Sequence, residues 1–270
     1  MTDPDWLAPA TLEEALAVRA ERGAEATVLA GGTFLGILMN QGFLAPEALL
    51  SLGRMGELDF IDVDAEGTLR IGAMTSHRDV ERSAVVGEGW PVLAYAFSLV
   101  ASPRVRNQAT VGGVLADADY ASDPPAVLAA LGARVVLRSS RGERSVPVAE
   151  LILGFYETCI EPDELLVEVR VPPTAGRSVY RKFRSRSRED RPCVAVAAAE
   201  GAERLRVVVG AVASTPQELP DVCAVGRDAP EEIGRRYAER IDPMSDSRGS
   251  ASYRRRVIAV EVRRAVEALA

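Results

Sequence analysis

Two glycine pairs set among small residues, Leu29-Ala30-Gly31-Gly32-Thr33 and Thr110-Val111-Gly112-Gly113, constrain this 270-residue chain more than any other feature. Each stands between a segment that reads as strand or irregular chain and one with helical spacing. Paired glycines admit dihedrals closed to other residues and let a ligand come close to the backbone. Successive N–H groups at such bends converge on anions, as helix N-termini do. Two bends of this kind in one domain suit a ligand with two phosphates, such as a dinucleotide. The spacing predicts that the amides of both bends grip the diphosphate together.

Other phosphate-binding signatures are missing. Lys182 is the sole lysine, so no Gly-Lys-Ser/Thr loop exists, and Gly-x-Gly-x-x-Gly does not occur. A formal net charge of −7 argues against a nucleic-acid surface, which should be basic. No run of about 18 apolar residues predicts a membrane span, although 47% hydrophobic residues support a large core. The acidic start Met1-Thr2-Asp3-Pro4-Asp5 lacks the pattern of a secretory signal, which points to the cytoplasm. Cys159, Cys193 and Cys223 show no disulfide, zinc or iron–sulfur spacing and read as ordinary thiols. His77, the only histidine, excludes a multi-histidine metal site. It reads as the start of a helix capped by Thr75 or Ser76. No catalytic acid, base or nucleophile and no metal ligand set stands out.

Along the chain, Thr11-Leu12-Glu13-Glu14 opens a helix in capping-box style. Thr27–Leu29 reads as a strand, Phe34–Gln41 as a helix and Ala48–Leu52 as a strand. Phe60–Val63 and Leu69–Gly72 read as a hairpin, and Pro124–Leu131 as a helix with proline in its first turn. Arg134–Leu137 and Glu164–Val171 are further strands, the latter stopped by Pro172-Pro173. Val179–Arg184, Val194–Ala199 and Leu205–Val212 predict a three-stranded antiparallel sheet, and Tyr253–Leu269 a closing amphipathic helix. Arg254-Arg255-Arg256 and Arg184-Ser185-Arg186-Ser187-Arg188 are candidate anion sites, read as solvated faces or ion-pair partners. Strands and helices mix without strict alternation, which predicts an α+β fold.

Val28–Thr33, Arg106–Gly113 and Ser122-Asp123-Pro124-Pro125, with the tail Asp246–Arg254, resemble the molybdenum hydroxylase flavoprotein family. That family includes the medium subunit of aerobic carbon monoxide dehydrogenase and the FAD segment of xanthine dehydrogenase. The resemblance spans almost the whole chain. It implies a PCMH-type FAD-binding domain over 1–174, with subdomains at about 1–55 and 56–174, and a C-terminal α+β domain over 175–270. It implies FAD in this chain, held by Leu29, Ala30, Gly31, Gly32, Thr33, Phe34, Leu35 and Gly36 in the first loop. Thr110, Val111, Gly112, Gly113 and Val114 form the second, where the Thr110 hydroxyl would meet phosphate. Asp123 would accept from a sugar hydroxyl, Leu166 would pack at the isoalloxazine, and Lys182 would lie near the flavin ring. The alternative for Lys182 is an ordinary surface lysine.

The resemblance also implies partners: a small subunit with two-iron two-sulfur clusters and a large molybdopterin subunit, assembled as a dimer of heterotrimers. Electrons would pass from molybdenum through the clusters to FAD and on to an external acceptor. The chain departs from the family at Phe34 and Val114, where relatives carry polar residues, and lacks a tyrosine after Asp190. Two other readings stay open: a stand-alone flavin oxidoreductase acting directly on a small molecule, and an interaction subunit without FAD.

Overall fold

The computed structural model describes residues 3–184, 186–187, 189–201 and 204–270. The predicted arginine run at 184–188 therefore lies partly outside the described residues. Three parallel strands, β1 (Asp5–Leu7), β2 (Ala26–Leu29) and β3 (Ala48–Ser51), form the first sheet in the order β1-β3-β2. The sequence reading missed β1, whose three residues carry an exposed Trp6 and no alternation. Helix α1 (Leu12–Arg22) links β1 to β2; its N-cap Thr11 accepts from the Glu14 N–H, as the capping pattern requires. Helix α2 (Leu35–Asn40) links β2 to β3 and buries none of its residues.

The second subdomain is an antiparallel sheet in the order β4-β5-β10-β6-β7. Its strands are β4 (Ile61–Val63), β5 (Leu69–Gly72), β6 (Arg134–Ser139), β7 (Gly142–Pro147) and β10 (Leu165–Val171). A small hairpin, β8 (Ile152–Gly154) with β9 (Glu157–Thr158), precedes β10. Six helices connect these strands: α3 (His77–Arg82), α4 (Ala84–Gly89), α5 (Pro91–Ser98), α6 (Pro103–Arg106), α7 (Val111–Ala116) and α8 (Pro124–Ala130); a short α9 (Val148–Leu151) follows β7. Strand β10 is apolar on both faces because it separates two cores. Leu165 and Val167 join Leu16 and Leu50 in one, while Leu166, Val169 and Val171 join Phe97 and Leu128 in the other. The register shifts between Leu166 and Glu168, so the alternation set by Leu165, Leu166 and Val167 is broken and Val169 falls in the second core rather than with Val167.

The C-terminal sheet holds β11 (Ser178–Phe183), β12 (Val194–Glu200), β13 (Leu205–Gly210) and β14 (Gln217–Glu218). The predicted three strands are present, and β14 corrects their number to four; two polar residues give no strand signal. One face of β12, with Ala195, Ala197 and Ala199, packs into the core shared with α8. There a Cβ on Gly210 would come within 3.2 Å of Ala126 Cβ, so small residues set the domain spacing. The other face meets α11 (Pro230–Arg240) and α12 (Ala251–Glu267), behind the short α10 (Pro220–Cys223). Arg254 of the arginine triplet is fully buried and donates to Met244 O and Asp246 Oδ1. Asp246 also accepts from Tyr120 Oη at 2.9 Å, tying the tail to the second subdomain. No helix among the described residues is long and apolar enough to cross a membrane.

Candidate functional site

Both glycine bends open onto one cavity of about 400 Å³. The predicted residues Ala30, Gly31, Gly32, Thr33, Phe34, Leu35, Thr110, Gly112, Gly113, Val114, Asp123, Leu166 and Lys182 line it. Leu29, Gly36 and Val111 are not part of its lining. Leu29 closes β2, its carbonyl accepting from Leu52 N–H; Gly36 begins the turns of α2, its N–H on Gly32 O; Val111 points into the core.

The glycines serve packing as well as ligand access. A Cβ on Gly31 would sit 1.8 Å from Gln108 O, because the first bend is pressed against the segment entering the second. A Cβ on Gly112 would come within 2.7 Å of Ala73 Cβ. Gly32, at φ +69°, takes the left-handed turn out of β2.

The amides divide unevenly between the bends. Among the described residues, the N–H groups of Gly31, Gly32, Thr33 and Phe34 have no hydrogen-bond acceptor in the chain. In the second bend, Val111 N–H donates to Thr75 O, Gly112 N–H to Ala73 O, Gly113 N–H to Thr110 Oγ1 and Val114 N–H to Thr110 O. The expectation that both bends offer amides is therefore corrected. The second bend spends its donors on helix capping and on the neighbouring strand end, and what it turns to the cavity is the Thr110 hydroxyl hydrogen and small side chains.

His77 holds that bend in place. Its ring is buried, Nε2–H donates to Thr110 O at 3.1 Å, and its backbone N–H donates to Ala109 O. A carbonyl can only accept, so the neutral ring carries its proton on Nε2. Burial, with a smaller push from Arg106 and opposed by the bond to Thr110, lowers its pKa to about 4. The sequence reading saw only a helix start, and the helix does begin there, capped by Ser76; the ring's place on the cavity wall gave no sequence signal.

At another wall, Lys182 Nζ lies 2.9 Å from Asp123 Oδ2 and donates to Leu99 O at 2.8 Å, while Tyr180 Oη donates to Asp123 Oδ1. The Lys182 side chain is 1% exposed, which overturns the surface-lysine alternative. Asp123 and Lys182, assigned from sequence to a sugar and to a ring, are in fact direct partners. Burial raises the Asp123 pKa, a push that Lys182 and Tyr180 oppose.

Near the first bend, Phe34 stacks on Tyr156 with centroids 5.6 Å apart, and Arg191 pairs with Asp119 at 2.6 Å. Asp117 and Asp119 both line the cavity. Burial and then the charge of Asp119, against a weaker pull from Arg191, raise Asp117 to about 7. Asp117 and Asp119 were not singled out from sequence, since isolated charges between helices carry no periodic mark, and Arg191 stands where the sequence lacks the family tyrosine after Asp190. Free amides, the buried Lys182 and apolar walls from Val28, Leu52, Leu165 and Leu166 fit a molecule with an anionic middle and flat, weakly polar ends.

Residues 2–174 match the family described as the FAD binding domain in molybdopterin dehydrogenase, and residues 178–269 match the CO dehydrogenase flavoprotein C-terminal domain. The chain is 33% identical to the carbon monoxide dehydrogenase medium chain of Hydrogenophaga pseudoflava, over 98% of this chain and 96% of that one. It is 32% identical to the 6-hydroxypseudooxynicotine dehydrogenase complex subunit alpha of Paenarthrobacter nicotinovorans, over 96% and 92%. Among solved structures, a chain of quinoline 2-oxidoreductase from Pseudomonas putida 86 superposes with a TM-score of 0.90 at 29% identity, covering 100% of this chain and 98% of that one.

Proposed function

The chain belongs to the family of FAD-binding subunits of molybdenum hydroxylases, as an FAD-dependent oxidoreductase subunit, and from that premise we propose that it relays electrons between a partner's iron–sulfur clusters and an external acceptor. FAD, when bound, supplies the exchange between one-electron and two-electron carriers. The chain's own part is to hold and orient it. The amides of Gly31 to Phe34 receive the diphosphate, and the Thr110 hydroxyl donates to it from the facing bend. Leu166 packs at the isoalloxazine and Lys182 lies beside it. Asp123 serves as the counter-ion that orients Lys182 rather than as a sugar acceptor, because both of its oxygens are engaged. A cation near the ring favours the reduced, anionic flavin, and the Asp123 charge tempers that bias.

The observation that carries this reading is the row of unpartnered amides on a cavity wall. Backbone N–H groups left unpaired away from water are costly, and an anion satisfies several at once. The partners proposed are a small two-iron two-sulfur subunit and a large molybdopterin subunit, as a dimer of heterotrimers in the cytoplasm. Co-expression with those subunits tests it. The purified complex should carry flavin absorbance that bleaches when substrate is given to the large subunit, while the isolated chain binds FAD and oxidises nothing. Substrate oxidation by the isolated chain would favour a stand-alone oxidoreductase, and a colourless chain that takes up no FAD would leave an interaction subunit.

A further inference from the structure

Arg19 lies on the wall of the same cavity, 7% exposed, and is a cation without a counter-ion among the described residues. It projects from the last turns of α1, where Nη1 donates to Gly23 O at 2.6 Å and to Ala26 O at 2.9 Å. Its Nε–H is buried with no acceptor. The carboxylates of that region are engaged elsewhere: Asp163 with Arg141 at 2.8 Å, Glu164 with Arg144 at 2.6 Å. Capping α1 uses one nitrogen of the guanidinium and accounts for neither the orphaned Nε–H nor the burial of an unpaired charge. Such a group is expensive to keep dry unless something pairs with it. Burial indeed depresses its pKa, as desolvation of a lone cation should.

We propose that Arg19 is a binding residue for the adenine end of the dinucleotide, donating from its orphaned guanidinium edge to ring nitrogens of the base. The position follows from the chain. Arg19 is bonded at Ala26, the first residue of β2, and the first glycine bend begins where β2 ends. Three steps of extended chain, at about 3.3 Å each, carry β2 roughly 10 Å from that anchor to Leu29, where the bend to Gly31 begins. Val28 and Leu52 line the wall with it. Lys182 and Asp123 lie past the second bend, where Nζ reaches the Leu99 carbonyl. A dinucleotide with its diphosphate at the first bend and its isoalloxazine at Lys182 leaves its adenosine half to the Arg19 end. Adenine offers acceptors and a flat face, which a planar guanidinium matches in both respects. The inference rests on the FAD reading above.

Calorimetric titration of the purified chain with FAD, ADP and FMN tests it. R19Q is expected to weaken FAD and ADP by about tenfold each and to leave FMN within twofold, with ligand-free unfolding unchanged. Loss of α1 capping could unfold R19Q. R19K, whose ammonium reaches the same carbonyls without an Nε–H, then serves in its place with the same expected pattern. Unchanged FAD affinity, or an equal loss for all three ligands, overturns the assignment. A wild-type chain that binds no FAD sinks the underlying reading instead, whereas wild-type FAD affinity in both R19Q and R19K sinks only this one.

Discussion

The first glycine bend leaves the amides of Gly31 through Phe34 without partners among the described residues, whereas the second commits the amides of Val111 through Val114 to its own scaffold. Their sequences are nearly alike, Ala-Gly-Gly-Thr against Val-Gly-Gly-Val, and their roles differ because their structural neighbours differ. The first leaves a parallel strand and enters a helix that buries none of its residues, and no acceptor among the described residues takes its donors. The second is the capped start of α7 and is bound to Ala73, Thr75 and His77. One bend keeps free the donors that the proposed diphosphate would take. The other is a rigid wall that sets the first in place, through the contact between Gly31 and Gln108.

Gly31→Ala breaks that contact and should have the largest effect on FAD affinity. A Cβ placed 1.8 Å from a carbonyl oxygen forces the bends apart, at an overpacking cost of about 1–3 kcal/mol or more. FAD affinity should fall at least a hundredfold, with unfolding several degrees lower. Gly113→Ala meets only the rotatable Thr110 Oγ1 at 2.9 Å and should shift affinity far less; equal losses in the two variants, measured by flavin titration, would erase the distinction. Lys182→Met tests the support behind the second bend. It leaves Asp123 buried and unpaired, and breaking such a pair costs about 3–5 kcal/mol. The double variant with Asp123→Asn should recover much of that loss in denaturant unfolding.

Much of this was legible from sequence, for identifiable reasons. The strands ending at Leu29 and Gly72, the proline-started helix at Pro124 and the capped helix at Leu12 all carry local signals: apolar runs, a turn, a cap. The glycine pairs marked the cavity because such backbone needs glycine locally. What sequence could not show is which amides are free, since that depends on the partners Ala73 and Thr75, more than thirty residues away. Arg19 and His77 were invisible for the same reason: one looks like any helical arginine and the other like any helix start. Lys182 and Asp123 were each found by resemblance, yet their pairing across 59 residues appears only when β11 is laid against α8.

His77→Leu is the third test, with an effect near that of one hydrogen bond, about 1 kcal/mol. It removes the donor to the Thr110 carbonyl, so FAD binding should weaken several-fold, and His77→Gln, which keeps a donor, should restore part of it. The pH dependence has a definite sign. The folded ring protonates near pH 4 and the unfolded one near 6.5, so the contribution is complete above about 6.5 and fades as pH falls toward 4. Thermal unfolding of the Gln variant should lack that acid-side decline; an identical decline in both proteins would remove His77 as its source.

Asp117, just after α7, produces the opposite slope and the smallest effect. Its folded carboxyl holds a proton to about pH 7, while an unfolded aspartate releases it near 3.8. Between those values the native state binds more protons, so this contribution is intact below about 3.8 and is lost as pH rises toward 7. The charge that then appears lies in the cavity proposed to take a diphosphate, on the side of the bend with no free amides to offset it. Asp117→Asn should therefore flatten the part of the unfolding profile between about pH 3.8 and 7 and tighten FAD binding a few-fold at pH 8, with little change at pH 5. The same pH dependence of FAD affinity in the wild-type chain and the Asn variant would remove Asp117 as its source.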